Sequence, residues 1–183
     1  MAIMISHSPT KDRVKKGKGE EFLIADKWKL QLAKQGATLD EVDEQQDMHD
    51  KVDRILTTQK GTKFRVQIKY REIGEDVLVE LVKNINTWEP GRDMVGVADL
   101  YLCVGLDKVG RLYWTKHIKP DAQAIINSLK QKIEENPHVP WWYPDAPYNK
   151  WQINVGIDNY SGTVKVRGYF SVDAYTHQSF RNL

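Results

Sequence analysis

A mixed α+β (α/β) fold, with a mixed central β-sheet flanked by helices, is predicted by three features of the 183-residue sequence. Residues 51–83 alternate apolar and polar with the period of two that belongs to half-buried strands. Val97–Leu106 (VADLYLCVGL) is apolar on both faces, as in a strand covered on both sides. Two flanking segments carry apolar residues at helical spacing. Hydrophobic residues make up 40%, charged residues 28%, and the mean hydropathy is −0.58, values of a folded, water-compatible chain with no run of about 18 apolar residues that would span a bilayer. The length suits one domain, read as 1–183: a basic N-terminal arm (1–18), a core (19–118), then a helix, an aromatic loop and a closing hairpin (119–183).

The first helix is expected over Gly19–Gln35, because Phe22, Ala25, Trp28 and Leu32 share one face and Gly36 stands where a helix stop is favoured. Residues 39–50 either extend helix or form an acidic loop. Lys51–Thr58 and Lys63–Arg71, joined by Gln59-Lys60-Gly61-Thr62, read as a hairpin. Asp76–Lys83 adds a third strand to that meander. After the turn-rich stretch Asn84–Asp93 comes the central strand 97–106, with Arg111–His117 as its hairpin partner. Pro120 marks the first turn of a second helix whose stripe is Ala122, Ile125, Ile126, Leu129 and Ile133. A loop rich in Pro and Trp (137–151) precedes a closing hairpin, Gln152–Ile157 with Thr163–Val172 across 158–162. Within that turn Asn159-Tyr160-Ser161 fits a glycosylation pattern and is read only as turn.

The net charge of +2 is small, but its distribution is uneven. From Lys11 to Gly19 five basic residues, including Lys15 and Lys16, face one acid, a pattern that suits either a solvated arm or contact with phosphates. From Asp40 to Asp53 seven acids face one lysine. Met1–Ile5 lacks the basic region and cleavage site of a secretory signal, so a cytoplasmic protein is expected. The single cysteine, Cys103, excludes an intrachain disulfide and a CxxC zinc site; within an apolar strand it reads as a core residue.

The segment that carries chemistry is the hairpin from Asp53 to Lys69. Its even positions (Val52, Leu56, Phe64, Val66, Ile68, Tyr70) form an apolar face interrupted only by Arg54. Asp53, Gln67 and Lys69 therefore share the opposite face with Lys63 and Arg65. If odd residues pair with odd, Asp53 stands across from or diagonal to Gln67. One carboxylate, one amide oxygen and a backbone carbonyl form the hard-oxygen set that Mg²⁺ or Mn²⁺ accepts beside a phosphate, with Lys69 supplying a compact positive charge. Asp50 is the competing carboxylate, but its even number places it on the core side.

The order and spacing, Asp53 followed by a hairpin and Gln67-Ile68-Lys69, resemble the PD-(D/E)XK nuclease superfamily in its Gln-x-Lys variant. The resemblance covers roughly Gly19–Lys83. It departs from the common pattern in having Val52 where a proline often precedes the aspartate and Gln67 where a glutamate is usual. It implies a restriction-endonuclease-like core, a Mg²⁺- or Mn²⁺-dependent endonuclease activity on DNA, Asp53 and Gln67 as metal ligands, Lys69 as catalytic, and an auxiliary acid on the preceding helix. Glu21 lies on the inward stripe and is preferred to Glu20 for that role. Lys63 and Arg65, with Lys15 and Lys16 of the arm, are expected to contact the DNA backbone, and a homodimer would present two sites to two strands. The alternative is a non-catalytic module on the same fold, binding nucleic acid or protein. His49, Glu80 and Asp99 are read as loop or hydrogen-bonded residues, and Trp141-Trp142-Tyr143 as core cover or contact surface more readily than as a base-stacking platform.

Overall fold

A computed structural model describes residues 23, 25–43, 50–70, 76–84, 87–104, 110–135, 153–160, 163–179 and 183. The first helix, α1, occupies 25–33. It stops where the sequence places its stop. Gly36 takes φ +73, the Gly36 N–H donates to the Ala33 carbonyl (3.1 Å), and the Ala37 N–H reaches back to Leu32 (3.0 Å). This is the paired closure of a left-handed glycine cap. Ala25, Leu32 and Ala37 are buried, so the expected stripe does face the sheet; Phe22 lies outside the described residues.

Next comes a strand that the sequence did not announce, β1 (Thr38–Glu41), antiparallel to β2 (Arg54–Thr57). Only Leu39 of β1 is buried, so its single apolar residue produces no period to read. β2 pairs with β3 (Lys63–Tyr70) in the expected odd-with-odd register, Ile55 opposite Arg65 and Thr57 opposite Lys63. The even face is core: Val52, Leu56, Val66 and Ile68 are buried, and Arg54 is only 8% exposed, its guanidinium donating to the Asp53 carbonyl at 2.7 Å.

β4 (Asp76–Asn84) corrects the expected three-stranded meander. Instead of returning beside β3 it enters a second sheet, pairing with β5 (Glu89–Pro90) and with a strand from the far end of the chain. The short helix α2 (Arg92–Val95) follows, then β6 (Leu100–Val104), parallel to β3 with Gln67 opposite Tyr101 and Lys69 opposite Cys103. β7 (Gly110–Trp114) closes this sheet antiparallel to β6, giving the order β1-β2-β3-β6-β7. All five residues of β6 are buried, in keeping with its apolar character on both faces.

α3 (Thr115–Glu135) begins five residues before Pro120, so the expected start at Pro120 and the expected segment boundary after 118 both fall inside a helix. The Thr115 hydroxyl bonds the Ala98 carbonyl at 2.7 Å and anchors the new helix directly at the end of β7. Pro120 sacrifices one backbone bond near the helix start, but Ile118 is gained for the buried stripe with Ala122, Ile125, Ile126 and Leu129. Each large side chain so buried contributes roughly 1.5–3 kcal/mol. β8 (Ile153–Tyr160) and β9 (Thr163–Ser171) form the closing hairpin with Tyr160 opposite Thr163, a tighter connection than the expected 158–162 loop. β9 pairs with β4, so the second sheet runs β5-β4-β9-β8.

The result is a mixed α+β fold with two hydrophobic clusters. One lies between α1 and the even face of the first sheet (Leu56, Val66, Ile68, Leu100, Leu102, Leu112). The other joins the odd face (Tyr101, Cys103, Tyr113) to β4, β9 and α3 through Val79, Leu81, Phe170, Ile125 and Leu129. The first sheet is thus covered on both sides. Among the described residues no helix is long and apolar enough to cross a membrane.

α2 is pressed onto β4 at Gly91, where a Cβ would lie 2.0 Å from the Glu80 carbonyl oxygen. Backbone on both sides leaves no flexible atom to yield. Gly91→Ala is therefore expected to lower stability in urea unfolding by about 2–3 kcal/mol. Gly61→Ala, which meets nothing within 4 Å and is opposed only by its φ of +82, should cost roughly 1 kcal/mol.

Candidate functional site

β2 and β3 part company at the pair Arg54–Val66; beyond it β3 has β6 on one side and, among the described residues, no strand on the other. Asp53 sits at that fork. Its N–H donates to the Val66 carbonyl (2.9 Å), and its Oδ2 accepts the Ile68 N–H at 2.6 Å, a backbone donor that the ended ladder would otherwise leave without a strand partner. The carboxylate makes a short, charge-assisted bond there.

Gln67 and Lys69 project from β3 onto the face that β4 and α2 cover. Gln67 is 2% exposed, so the odd face is not the open surface implied by a basic, DNA-facing strand. Both side chains converge on Asp93 of α2. Asp93 Oδ1 accepts from Gln67 Nε2 at 3.0 Å and from Lys69 Nζ at 2.6 Å, while Oδ2 accepts the Glu80 N–H at 2.7 Å. Because a carboxylate only accepts, the contact fixes the rotation of the Gln67 amide: nitrogen toward Asp93, carbonyl oxygen turned away. The Lys69 ammonium also stands 5.2 Å from the centre of the Tyr101 ring.

Burial opposes the charged form of Asp93, yet the Lys69 ammonium, the Glu80 N–H and the Arg92 charge outweigh it and hold its carboxyl below the usual range. Lys119 of α3 borders the same group; its ammonium donates to the Gly96 carbonyl, and burial lowers its pKa, with Arg65 and Lys69 adding repulsion and Asp93 opposing. Burial, opposed by the Lys69 charge and reinforced by Asp76, pushes the Cys103 thiol up to about 12, as befits an inert core residue.

The remaining expected residues divide in three. Arg65 is committed to Asp99 through Nε (3.0 Å) and Nη2 (2.8 Å), while its backbone N–H donates to the same carboxylate, so its charge is balanced in place. Lys63 is exposed, about 13 Å along β3 from Gln67. Glu80 accepts the Arg92 N–H (3.0 Å) and stands 3.5 Å from Lys165, and Asp99 holds Arg65, the hydrogen-bonded roles read for both. Asp50 is exposed, and its carbonyl accepts the Val97 N–H. Glu21, Glu20, Lys15, Lys16, His49 and the aromatic loop lie outside the described residues.

Asp93 and Lys119 are the residues that the sequence reading missed. A signal for Asp93 did exist. A strand apolar on both faces requires cover on both sides, and a lysine on the neighbouring strand then needs a buried anion. Its address, in a four-residue helix 24 positions away, is not periodic. A carboxylate, an amide carbonyl and a backbone oxygen are the oxygen types that a hard cation takes, and Asp53 and Gln67 offer the first two, whereas Asp93 already accepts three hydrogen bonds. Among the described residues no group of three or more His, Cys, Asp and Glu is placed to hold a metal ion.

Removing the Asp93 carboxylate leaves Lys69 charged and Gln67 unpaired in a closed interior. Asp93→Ala is expected to cost about 3–5 kcal/mol in urea unfolding. Because the folded-state pKa of Asp93 is depressed, its contribution is complete above the unfolded carboxylate range and is lost as pH falls through the folded value. Wild-type stability should therefore decline below about pH 5 more steeply than that of Asp93→Asn. Comparison with family models, with curated proteins and with solved structures finds no match for this chain.

Proposed function

We propose that the chain is a divalent-cation-dependent nuclease hydrolysing DNA phosphodiester bonds, with weak sequence preference or selectivity for structure. What supports this reading is the odd-with-odd register of β2 and β3, the Asp53 carboxylate on the Ile68 N–H at the fork, and the convergence of Gln67 and Lys69 on Asp93. The parallel β6 beside β3 and α1 on the opposite face also agree with the core implied by the Gln-x-Lys pattern.

In this reading Asp53 and Gln67 hold Mg²⁺ or Mn²⁺, whose chemistry is to acidify water and offset phosphate charge. Asp53 brings the one formal negative charge of the set while its Oδ2 stays on the Ile68 N–H. Lys69 presents a positive charge to the non-bridging phosphate oxygens, and Lys63 offers an exposed cation to the flanking backbone. A dimer acting on two strands belongs to the same proposal.

A second reading, a non-catalytic nucleic-acid- or protein-binding module, is favoured by one specific feature. Lys69 is already paired with a carboxylate that is 4% exposed, which is what a purely structural link would look like.

Incubation of the purified protein with supercoiled, linear, branched and single-stranded DNA in Mg²⁺ or Mn²⁺ separates them. The nuclease reading expects cleavage, reduced about 100-fold in Asp53→Asn and in Lys69→Ala. Asparagine retains an acceptor for the Ile68 N–H, so the fork itself is spared. All four substrates left intact, together with salt-sensitive DNA binding that ignores metal, would establish the binding module instead.

A further inference from the structure

Asp93 does more than neutralise a lysine. Its two neighbours on β3 are the residues to which the cation-site reading gives the ligand and the positive charge, and a single oxygen, Oδ1, binds both. The other oxygen is tied to β4 through the Glu80 N–H. Arg92, one residue earlier, donates its N–H to the Glu80 carboxylate, and the Gly91 N–H donates to the Leu81 carbonyl. The carboxylate is therefore anchored to the second sheet and cannot swing with the side chains that it orders.

Position 67 is constrained by this neighbour. Glutamate there would set two carboxylates around one ammonium in a site where Gln67 is 2% and Asp93 4% exposed. Like charges at hydrogen-bond distance with little water destabilise each other strongly. Glutamine donates to Asp93 and retains an acceptor, so the second acid of the group resides on α2 instead of β3.

We propose that Asp93 is the positioning residue of the cation site: it holds the Gln67 amide with its nitrogen toward Asp93 and leaves the carbonyl oxygen as the ligand, and it sets the place of the Lys69 ammonium. This rests on the nuclease-type cation site proposed above, and goes beyond it in making the identity of residue 67 depend on residue 93. Residues 67 and 93 then behave as an exchangeable acid–amide pair.

The test is a double-mutant cycle on the full chain: wild type, Asp93→Asn, Gln67→Glu and Gln67→Glu/Asp93→Asn, each titrated with Mn²⁺ by calorimetry and unfolded in urea. Asp93→Asn is expected to weaken Mn²⁺ binding at least about tenfold. Gln67→Glu alone should unfold at a lower urea concentration. In the double variant the hydrogen bond is reversed, the amide at position 93 donating and the carboxylate at position 67 accepting. It should recover Mn²⁺ affinity to within about threefold of wild type and most of the lost stability. Unchanged Mn²⁺ affinity in Asp93→Asn, or a double variant no better than the worse single one, overturns the positioning role while leaving the cation site standing. Absence of Mn²⁺ binding in the wild type overturns both. If Asp93→Asn does not fold, the wild type still decides: Mg²⁺ should shift the Gln67 side-chain carbonyl ¹³C resonance while its amide protons stay hydrogen-bonded. A Gln67 carbonyl unmoved by Mg²⁺ overturns the proposal.

Discussion

Two sheets that touch only through apolar side chains have many ways to slide, because hydrophobic contact has little directionality. The buried ion pair between Asp93 and Lys69 removes that freedom. Lys69 and Gln67 belong to the first sheet, the Glu80 N–H to the second, and Asp93 bonds all three at 2.6–3.0 Å. Taking both charges out of water costs several kcal/mol per ion, which a bare pair seldom recovers. Here the carboxylate is also met by an amide and a backbone N–H, so its acceptor capacity is used rather than buried idle. The ion pair's main structural effect is to choose one registry of the sheets over its neighbours.

The same closed environment accounts for Tyr101. Its hydroxyl is buried with no hydrogen-bond partner among the described residues, and burial together with the Asp93 charge pushes its pKa far upward. An unsatisfied buried hydroxyl costs about 1–3 kcal/mol. The ring face toward the Lys69 ammonium returns part of that, since a cation over an aromatic face gains most where water is excluded. Tyr101, opposite Gln67 in the parallel ladder, thus fills the floor of the polar group while taking no part in its hydrogen bonds.

What the sequence made legible follows from range. Pleat alternation is local, so the buried even face and the odd-with-odd register could be read directly from residues 52–70. The Gly36 cap and the Ala122–Leu129 stripe were local in the same way. The destination of β4 was not: its partner β9 lies some 90 residues downstream, and nothing within DVLVELVK says which of two sheets it joins. The start of α3 was misplaced because Pro120 is a common first-turn residue, whereas the Thr115 hydroxyl on the Ala98 and Asp99 carbonyls, a contact across 17 and 16 positions, sets the true start. For the candidate site, the residue types and their spacing were legible and their environment was not. An odd face drawn as open is in fact roofed by β4 and α2.

That roof changes what a bound cation must do. Asp53, with one oxygen on the Ile68 N–H, is the sole carboxylate of the proposed ligand set, and Arg65 beside it is already balanced by Asp99. Asp93 is likewise balanced by Lys69, so a divalent ion at the proposed site would meet little net negative charge among the described residues. An ion held by so few protein charges would retain most of its waters, and on the proposed reading the balance would come from a phosphate. Cation and phosphate would then bind as partners, each completing the charge that the other lacks, and the affinity for the ion alone would understate its affinity in the presence of DNA. In the proposed site, a glutamine held by Asp93 would tie occupancy to the arrival of an anion.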